Sequence, residues 1–271
     1  MAQREAPLDL GIPVLRIVDL GGRVWRTAAT LLCFAVFMSA SVLALPLAVL
    51  LLILVGPRRR GRVGKAVVRV FFRFFVALMR TLGVLDLEVR GLERLNREGL
   101  FVVANHPTLI DFVVLASIVS RADCLVKSSL RSHWAMRWPV ALAGYIPNDR
   151  GEETLSLCQR SLDSGNSIVI FPEGTRTPAG RLPHLKRGAA QVALRCGRAL
   201  TQVVISCPSS NLEKGGTWWL APPEKTRMRV EILETEDGAA FMARYDGEAN
   251  PAARALTALL ERRFNEVLQR G

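Results

Sequence analysis

An uncharged segment of 29 residues, Thr27–Val55, constrains this chain more than any other feature of its sequence. About 20 apolar residues cross the hydrocarbon core of a bilayer, so the segment is long enough to span a membrane with tilt. It is also long enough to enter the membrane and turn at Pro46 as a shallow hairpin. A buried core helix is seldom this long, and the apolar region of a cleaved signal peptide is shorter. We therefore expect the chain to be held at a membrane.

A basic segment follows the apolar one. The positively charged flank of a membrane segment stays in the cytoplasm, which predicts that the rest of the chain lies there. Three of its basic residues recur every four positions, with Val and Phe between them, as in an amphipathic helix lying on anionic headgroups. The alternative is a second membrane-embedded helix packed on the first. The residues that recur every four positions are Lys65, Arg69 and Arg73. The segment from Arg58 to Arg80 contains no acidic residue, and its basic residues are Arg58, Arg59, Arg60, Arg62, Lys65, Arg69, Arg73 and Arg80.

The composition excludes several classes of protein. Half of the residues are hydrophobic, which is too many for a disordered chain. The net charge of +12 raises the question of nucleic acid, but the cationic cluster abuts the apolar run and no nucleic-acid-binding motif occurs, so we expect no nucleic-acid partner. The five cysteines are odd in number, lack a Cys-x-x-Cys pair and have apolar neighbours. They predict neither a disulfide framework nor a metal site.

After Leu82 the sequence changes to short apolar runs that alternate with helical stretches, the pattern of an α/β domain with a largely parallel sheet. We divide the chain into an N-terminal cytosolic or interfacial segment (1–26), a membrane segment with a basic helix (27–82) and an α/β domain (83–271). The predicted strands are Leu85–Arg90, Leu100–Ala104, Cys124–Lys127, Ser167–Phe171, Val203–Cys207 and Met228–Leu233. The predicted helices are Leu109–Ser120, Leu130–Leu142, Glu152–Ser164, Arg187–Cys196 and Pro251–Arg270.

The first chemical motif follows a predicted strand and reads Asn-His-Pro-Thr-Leu-Ile-Asp over residues 105–111. Pro107 is a residue with which a helix can begin. His106 then lies at the end of a strand, where open α/β sheets bind their ligands. The carboxylate of Asp111, just over one turn into the helix, can bond one imidazole nitrogen and leave the other free to accept a proton. The motif predicts a general base without a side-chain nucleophile.

The second motif, Phe-Pro-Glu-Gly-Thr-Arg over residues 171–176, begins 65 residues after His106. A turn at a strand end presents backbone N–H groups and Arg offers a planar fork, a combination that suits a phosphate. Taken alone, the segment is better explained as a plain strand-to-loop turn with a solvated Arg.

Together the two motifs resemble those of the 1-acylglycerol-3-phosphate acyltransferase family of glycerolipid acyltransferases. Residues 144–150, Gly-Tyr-Ile-Pro-Asn-Asp-Arg, look like the second sequence block of that family, and residues 184–189, His-Leu-Lys-Arg-Gly-Ala, look like the basic segment after its third. The resemblance covers roughly residues 85–207. It implies a mixed, largely parallel sheet flanked by helices, preceded by an N-terminal membrane-associated helical region.

The resemblance also implies a reaction. His106, oriented by Asp111, would deprotonate the hydroxyl of a lysophospholipid, most directly 1-acylglycerol-3-phosphate, and the oxygen would attack an acyl-CoA or acyl carrier protein thioester to give phosphatidic acid. No cofactor or metal is implied. Arg176, with Lys127 and Arg150, would bind the acceptor phosphate. The full set of expected substrate-binding residues is Lys127, Arg150, Glu173, Gly174, Thr175, Arg176 and Lys186, of which Glu173 and Gly174 also shape the turn.

One departure concerns the fourth block, which normally carries a Pro within an apolar strand; this chain has no Pro there and has Gln202 near that place. That block is held to shape the acceptor site, so an acceptor other than a glycerophosphate, such as another lysolipid or a hydroxylated secondary metabolite, stays open. A thioester hydrolase and a non-enzymatic lipid-binding module are further alternatives. The expected location is the cytoplasmic (inner) membrane, with the catalytic domain on its cytoplasmic face.

Overall fold

The computed structural model describes residues 11–128, 137–178, 180–208, 212, 213, 215–217, 219, 220 and 224–270. Two N-terminal helices, α1 (Gly11–Leu54) and α2 (Pro57–Thr81), precede an α/β domain. Its strands are β1 (Leu85–Arg90), β2 (Phe101–Ala104), β3 (Ala122–Val126), β4 (Ile146–Pro147), β5 (Ser167–Ile170), β6 (Ala199–Ser206) and β7 (Thr226–Asp237). Its helices are α3 (Asp111–Ile118), α4 (Arg137–Ala143), α5 (Glu152–Asp163), α6 (Arg187–Arg195), α7 (Gly238–Ala243) and α8 (Ala249–Arg270), with a 3-10 turn at Leu92–Leu95.

The strands form one sheet in the order β1-β7-β6-β2-β5-β3-β4. The five strands from β6 to β4 run parallel, whereas β7 is antiparallel to β6 and carries β1 parallel to itself. This confirms the mixed, largely parallel sheet flanked by helices. The carboxyl ends of β2, β5 and β3 therefore meet at one edge. The first residues after these strands are Asn105 and Phe171, which belong to the two motifs, and Lys127, which belongs to the predicted site.

Two apolar cores lie on opposite faces of the sheet, because successive side chains of a strand point to opposite faces. On β2, Val102 and Ala104 join the core beneath α2, α3 and α4. Phe101 and Val103 join the core beneath α5, α6 and α8. Since all four side chains have no solvent exposure, β2 is the centre of the domain and a rigid base for the residues that follow it.

The uncharged segment forms part of one long helix. Helix α1 continues through Pro46, so the alternative of a hairpin that turns there is wrong; the chain reverses at Gly56 instead. Residues Gly21–Leu43 are long and apolar enough to cross a membrane, and little of that window is buried inside the protein. Because α1 runs across position 26, the proposed boundary there lies inside a helix, and the three-part division stays a prediction.

Helix α2 faces the α/β domain with the side that we expected to lie on lipid headgroups. Lys65 is buried and pairs with Asp123 of β3 at 3.1 Å, and Arg69 donates a hydrogen bond to the carbonyl of Ile118. The prediction of a basic stripe on lipid is therefore wrong for these two residues. Lys65 shares its side of the helix with Val68, Phe72, Phe75 and Met79, which are all buried, so the apolar spacing and not the charge sets the buried face. Phe72 and Phe75 pack on Phe37 of α1, in line with the alternative that the two helices pack together.

Gln202 lies in the middle of β6, where the pairing with β7 shifts register, and its side chain is fully buried. Neither its amide nitrogen nor its amide oxygen has a hydrogen-bond partner among the described residues. Since an unsatisfied buried polar group costs about 1–3 kcal/mol, we expect Gln202→Leu to raise the free energy of unfolding by about that amount. Denaturant titration in detergent measures it.

Thr201 provides the matched control for this prediction. It is also fully buried, but its hydroxyl has a partner in the hydroxyl of Thr235 at 3.2 Å. Thr201→Val should therefore lower the free energy of unfolding, by about 1 kcal/mol. A Gln202→Leu variant that is destabilised like Thr201→Val would contradict the unsatisfied amide.

Candidate active site

His106 and Asp111 form a tight pair at the end of β2. The Nδ1 atom of His106 lies 2.7 Å from Oδ2 of Asp111, whose side chain is completely buried. The same carboxylate accepts hydrogen bonds from the backbone N–H and the hydroxyl of Thr108. Burial raises the pKa of the Asp111 carboxyl, and the bonds from His106 and Thr108 counteract part of that rise. The carboxylate thus fixes the imidazole with Nδ1 engaged and leaves Nε2 for a substrate proton.

The turn that holds this pair differs from the expected one. Helix α3 begins at Asp111, not at Pro107 or Leu109, and residues 108–110 form a bend and a turn before it. The reason is the Asp111 carboxylate, which accepts the Thr108 N–H that a helix starting earlier would leave without a partner. Thr108 is a supporting residue that the sequence alone did not single out.

Two more residues orient His106. The Asn105 side chain donates to the carbonyl of Ile205 at 2.8 Å and accepts from its N–H at 2.7 Å, which extends the pairing of β2 with β6 by one residue. The Phe171 ring stacks on the imidazole with centroids 4.3 Å apart. The ring of His106 is therefore held by its chain neighbour, by a carboxylate and by an aromatic face.

Glu173 connects the second motif to the backbone of the first. Its Oε1 accepts the N–H of His106 at 2.7 Å, and its Oε2 accepts the hydroxyl of Thr177. Thr177 in turn donates its N–H to the carbonyl of His106 at 2.8 Å. Burial is the main cause that raises the pKa of Glu173. The side chain of Glu173 therefore shapes the turn around His106.

A cleft of about 840 Å³ opens beside His106. Its cationic lining residues are Lys127 at the end of β3, Lys186 before α6, and Arg195, which pairs with Glu152 at 2.7 Å. Much of the remaining lining is apolar and comes from both faces of the sheet. Residues from the first core are Phe112, Cys124, Val126, Val140 and Tyr145, and residues at the second core are Leu125, Leu155, Ile170, Ala189 and Val192.

The structure brings together part of the predicted set. His106, Lys127, Gly174, Thr175 and Lys186 all line the cleft, with Asp111 buried behind the imidazole. The lysine side chain of Lys186 lies over Gly174, close enough that a Cβ there would be 3.2 Å from its Nζ.

Two predicted arginines are not part of this lining. Arg176 donates to the carbonyls of Leu212 and Glu213, at 3.1 and 3.3 Å. Arg150 is half-exposed and pairs with Glu153 at 2.8 Å. Their expected contact with a phosphate stays a prediction. The motif spacing could not separate them from Lys127 and Lys186, because the direction of a side chain at a turn depends on the loop that it meets.

No group of three or more His, Cys, Asp or Glu side chains that could hold a metal ion occurs in the described ranges. The class that the fold and the site define is an α/β domain with a hydrogen-bonded His–Asp pair at the carboxyl edge of its sheet, beside a cleft with lysines and apolar walls.

Comparison with known proteins agrees with that class. Residues 86–210, just under half of the chain, match the family model described as Acyltransferase. A solved structure of the 1-acyl-sn-glycerophosphate (LPA) acyltransferase PlsC from Thermotoga maritima superposes with a TM-score of 0.67 over 92% of this chain and 97% of that one; at 19% identity the likeness concerns the fold.

The named relatives are acyltransferases of lysolipids. The chloroplastic 1-acyl-sn-glycerol-3-phosphate acyltransferase of Arabidopsis thaliana is 27% identical over 51% of this chain and 41% of its own length. The 1-acyl-sn-glycerol-3-phosphate acyltransferase of Pseudomonas aeruginosa is 29% identical over 48% of this chain and 53% of its own length. The lyso-ornithine lipid O-acyltransferase of the same organism is 29% identical over 48% of this chain and 51% of its own length. The chain thus spans about half the length of the relatives that it matches.

Proposed function

We propose that this protein transfers a fatty acyl group from an acyl thioester to the hydroxyl of a lysophospholipid, most directly 1-acylglycerol-3-phosphate. The observation that carries the proposal is the His106–Asp111 pair, 2.7 Å apart, at the wall of a cleft with two lysines and apolar surfaces. Relatives that match this chain are named for reactions of this kind.

The chemistry needs only the residues of the chain. His106 removes the proton of the acceptor hydroxyl as its oxygen bonds to the thioester carbonyl carbon. The carbon–sulfur bond then breaks, and the thiolate that leaves takes the proton from the imidazolium, so that an ester and a free thiol result. A positioned general base contributes about 10²–10⁴-fold. Asp111 holds the ring and stabilises its charged form during the transfer.

The cleft suits an amphiphilic acceptor. The amines of Lys127 and Lys186 and the turn at Gly174 and Thr175 lie beside His106, and we assign them to the phosphate of the acceptor. The apolar walls suit acyl tails. Arg176 would have to leave the carbonyls of Leu212 and Glu213 to join them, so we assign it first to holding that loop.

A zwitterionic lysolipid is the second candidate acceptor. The lyso-ornithine lipid O-acyltransferase of Pseudomonas aeruginosa is as similar to this chain as its 1-acyl-sn-glycerol-3-phosphate acyltransferase, at 29% identity. Gln202, the departure in the fourth block, is completely buried in β6 and does not line the cleft, so it does not itself alter the acceptor-facing wall.

We further propose that α1 anchors the protein in the cytoplasmic membrane with the α/β domain on the cytoplasmic face. The support is the apolar window Gly21–Leu43 together with the excess of basic residues at the start of α2. In this arrangement the cleft lies next to the bilayer, into which the acyl tails of both the donor and the acceptor partition.

An acyl-transfer assay tests the proposal. Purified protein in mixed micelles, with radiolabelled acyl-CoA and separate acceptors, should form phosphatidic acid from 1-acylglycerol-3-phosphate faster than it acylates lyso-ornithine lipid or lysophosphatidylcholine. A preference for lyso-ornithine lipid would establish the second candidate. Thiol release at the same rate with and without acceptor would show a hydrolase, and no turnover with any acceptor, acyl-CoA or acyl carrier protein would overturn the proposal.

A further inference from the structure

A second concave site lies next to the cleft, between the segment that leads into α6 and one side of α8. It measures about 500 Å³. We call it the basic groove; its lining residues are His184, Leu185, Lys186, Arg187, Arg254, Thr257, Ala258 and Glu261. Of the residues assigned above to the base and to the acceptor phosphate, only Lys186 lines it.

The groove holds three exposed cations without a counter-ion. Lys186, Arg187 and Arg254 have no carboxylate partner within the ranges that the structure describes. The acidic lining residue, Glu261, is already engaged, because its Oε1 accepts the N–H of Leu185 and contacts Nδ1 of His184, each at 2.8 Å. Arg187 and Arg254, which have no role in the proposed acceptor site, are therefore free to contact a ligand with more than one negative charge.

Lys186 joins the groove to the cleft, since it lines both. Its N–H donates to the carbonyl of Pro172, which fixes it to the turn after β5. A ligand that reacts beside His106 and extends past Lys186 would therefore place its far end in the groove. Thioester donors have this form, since a pantetheine arm separates the reacting carbonyl from phosphates.

We propose that the basic groove binds the nucleotide phosphates of CoA, with Arg187 and Arg254 as the residues that contact them. This inference rests on the proposed acyl-transfer function and adds to it the identity of the donor. Size favours a nucleotide over an acidic carrier protein, because a concavity of about 500 Å³ falls in the roughly 300–1,000 Å³ range of small-molecule sites.

Donor kinetics test the groove. Arg187→Ala and Arg254→Ala should each raise KM for acyl-CoA about tenfold, because each removes a charge-assisted bond to phosphate, and should leave KM for the acceptor unchanged. The same variants should match the wild type with an acyl-N-acetylcysteamine thioester, which lacks every phosphate. Arg262→Ala is the control, since Arg262 is exposed on α8 and does not line the groove.

Binding of CoA itself, followed by titration calorimetry, separates this inference from the proposed function. CoA binding by the wild type that weakens in Arg254→Ala supports the groove even if no acceptor is acylated. If the wild type transfers acyl groups and the two groove variants behave like Arg262→Ala, the groove proposal is overturned while the function stands. Use of acyl carrier protein alone, without CoA binding, also overturns it.

Discussion

Replacing His106 by Ala should lower the rate of acyl transfer by about 10³-fold or more while the protein stays folded and bound to membranes. The general base contributes about 10²–10⁴-fold, and no other group takes its place, because Asp111 is buried behind the ring and no second histidine lines the cleft among the described residues. The measurement is kcat with saturating acyl-CoA and acceptor, together with thermal unfolding of the variant.

Asp111 should act only through His106, and a double-variant cycle tests this directly. Asp111→Asn keeps the shape of the side chain but removes the charge that holds the imidazole at 2.7 Å, so we expect a loss of about 10²-fold or more in kcat. In the His106→Ala background the same change should have almost no further effect, because residues that act as a unit are not additive.

Asp163→Asn is the matched control for this cycle. Asp163 ends α5, is exposed and pairs with Arg198, outside the cleft, so its replacement should leave kcat unchanged. Near-normal turnover by His106→Ala would show that the proton goes to another group. An undiminished effect of Asp111→Asn in the His106→Ala background would show the same.

Much of the fold could be predicted from the sequence because its elements are set by local patterns. The strand β1 matched its prediction, and β2, β5, α5 and α6 matched theirs to within a residue, since each is an apolar or amphipathic run bounded by Gly or polar residues. The strands β6 and β7 are longer than predicted, because their pairing with each other extends the ladder past the apolar residues. The two-residue strand β4 has too little sequence to recognise. The first part of the predicted helix Leu130–Leu142, residues 130–136, lies outside the described residues, and its last part is helical.

Contacts in the candidate site could be predicted where the two residues are close in sequence. They could not be predicted where a side chain contacts a loop far along the chain. His106 and Asp111 are five residues apart on one turn, so their pairing could be anticipated. Arg176 and the carbonyl of Leu212, which it contacts, are 36 residues apart, and no sequence pattern in either segment predicts this contact. The motifs therefore predicted the His106–Asp111 contact, whereas the structure was needed to show which cations line the cleft.

The same distinction applies to α2. Its basic residues predicted contact with lipid headgroups, whereas in the fold Lys65 forms a buried ion pair with Asp123. Gly64 allows the close approach: a Cβ at this position would lie 1.9 Å from the carbonyl oxygen of Leu142. The neighbouring Lys65 then reaches Asp123, which also accepts a hydrogen bond from Ser161. Because β3 ends next to Lys127, this pair connects the N-terminal helices to a wall of the cleft.

We expect Lys65→Met to lower the free energy of unfolding by about 3–5 kcal/mol, because it leaves the buried carboxylate of Asp123 without its counter-ion. The loss should depend on pH. Burial raises the pKa of Asp123, and without Lys65 that pKa rises further. A raised carboxyl pKa gives stability that is present at low pH and lost as the pH increases through the folded-state value. The deficit of Lys65→Met should therefore be largest at neutral pH and shrink on acidification.

Two further variants separate loss of the ion pair from general damage to α2. Lys65→Met combined with Asp123→Leu removes both charges, so the double variant should recover most of the stability or exceed the wild type, as when a buried pair is replaced by apolar residues. Arg73→Met alters an exposed cation of the same helix and should change the free energy of unfolding by no more than about 0.5 kcal/mol. Unfolding in detergent between pH 4 and pH 8 measures all three. A double variant as unstable as Lys65→Met, or a deficit that is constant with pH, would contradict an ion pair between α2 and β3.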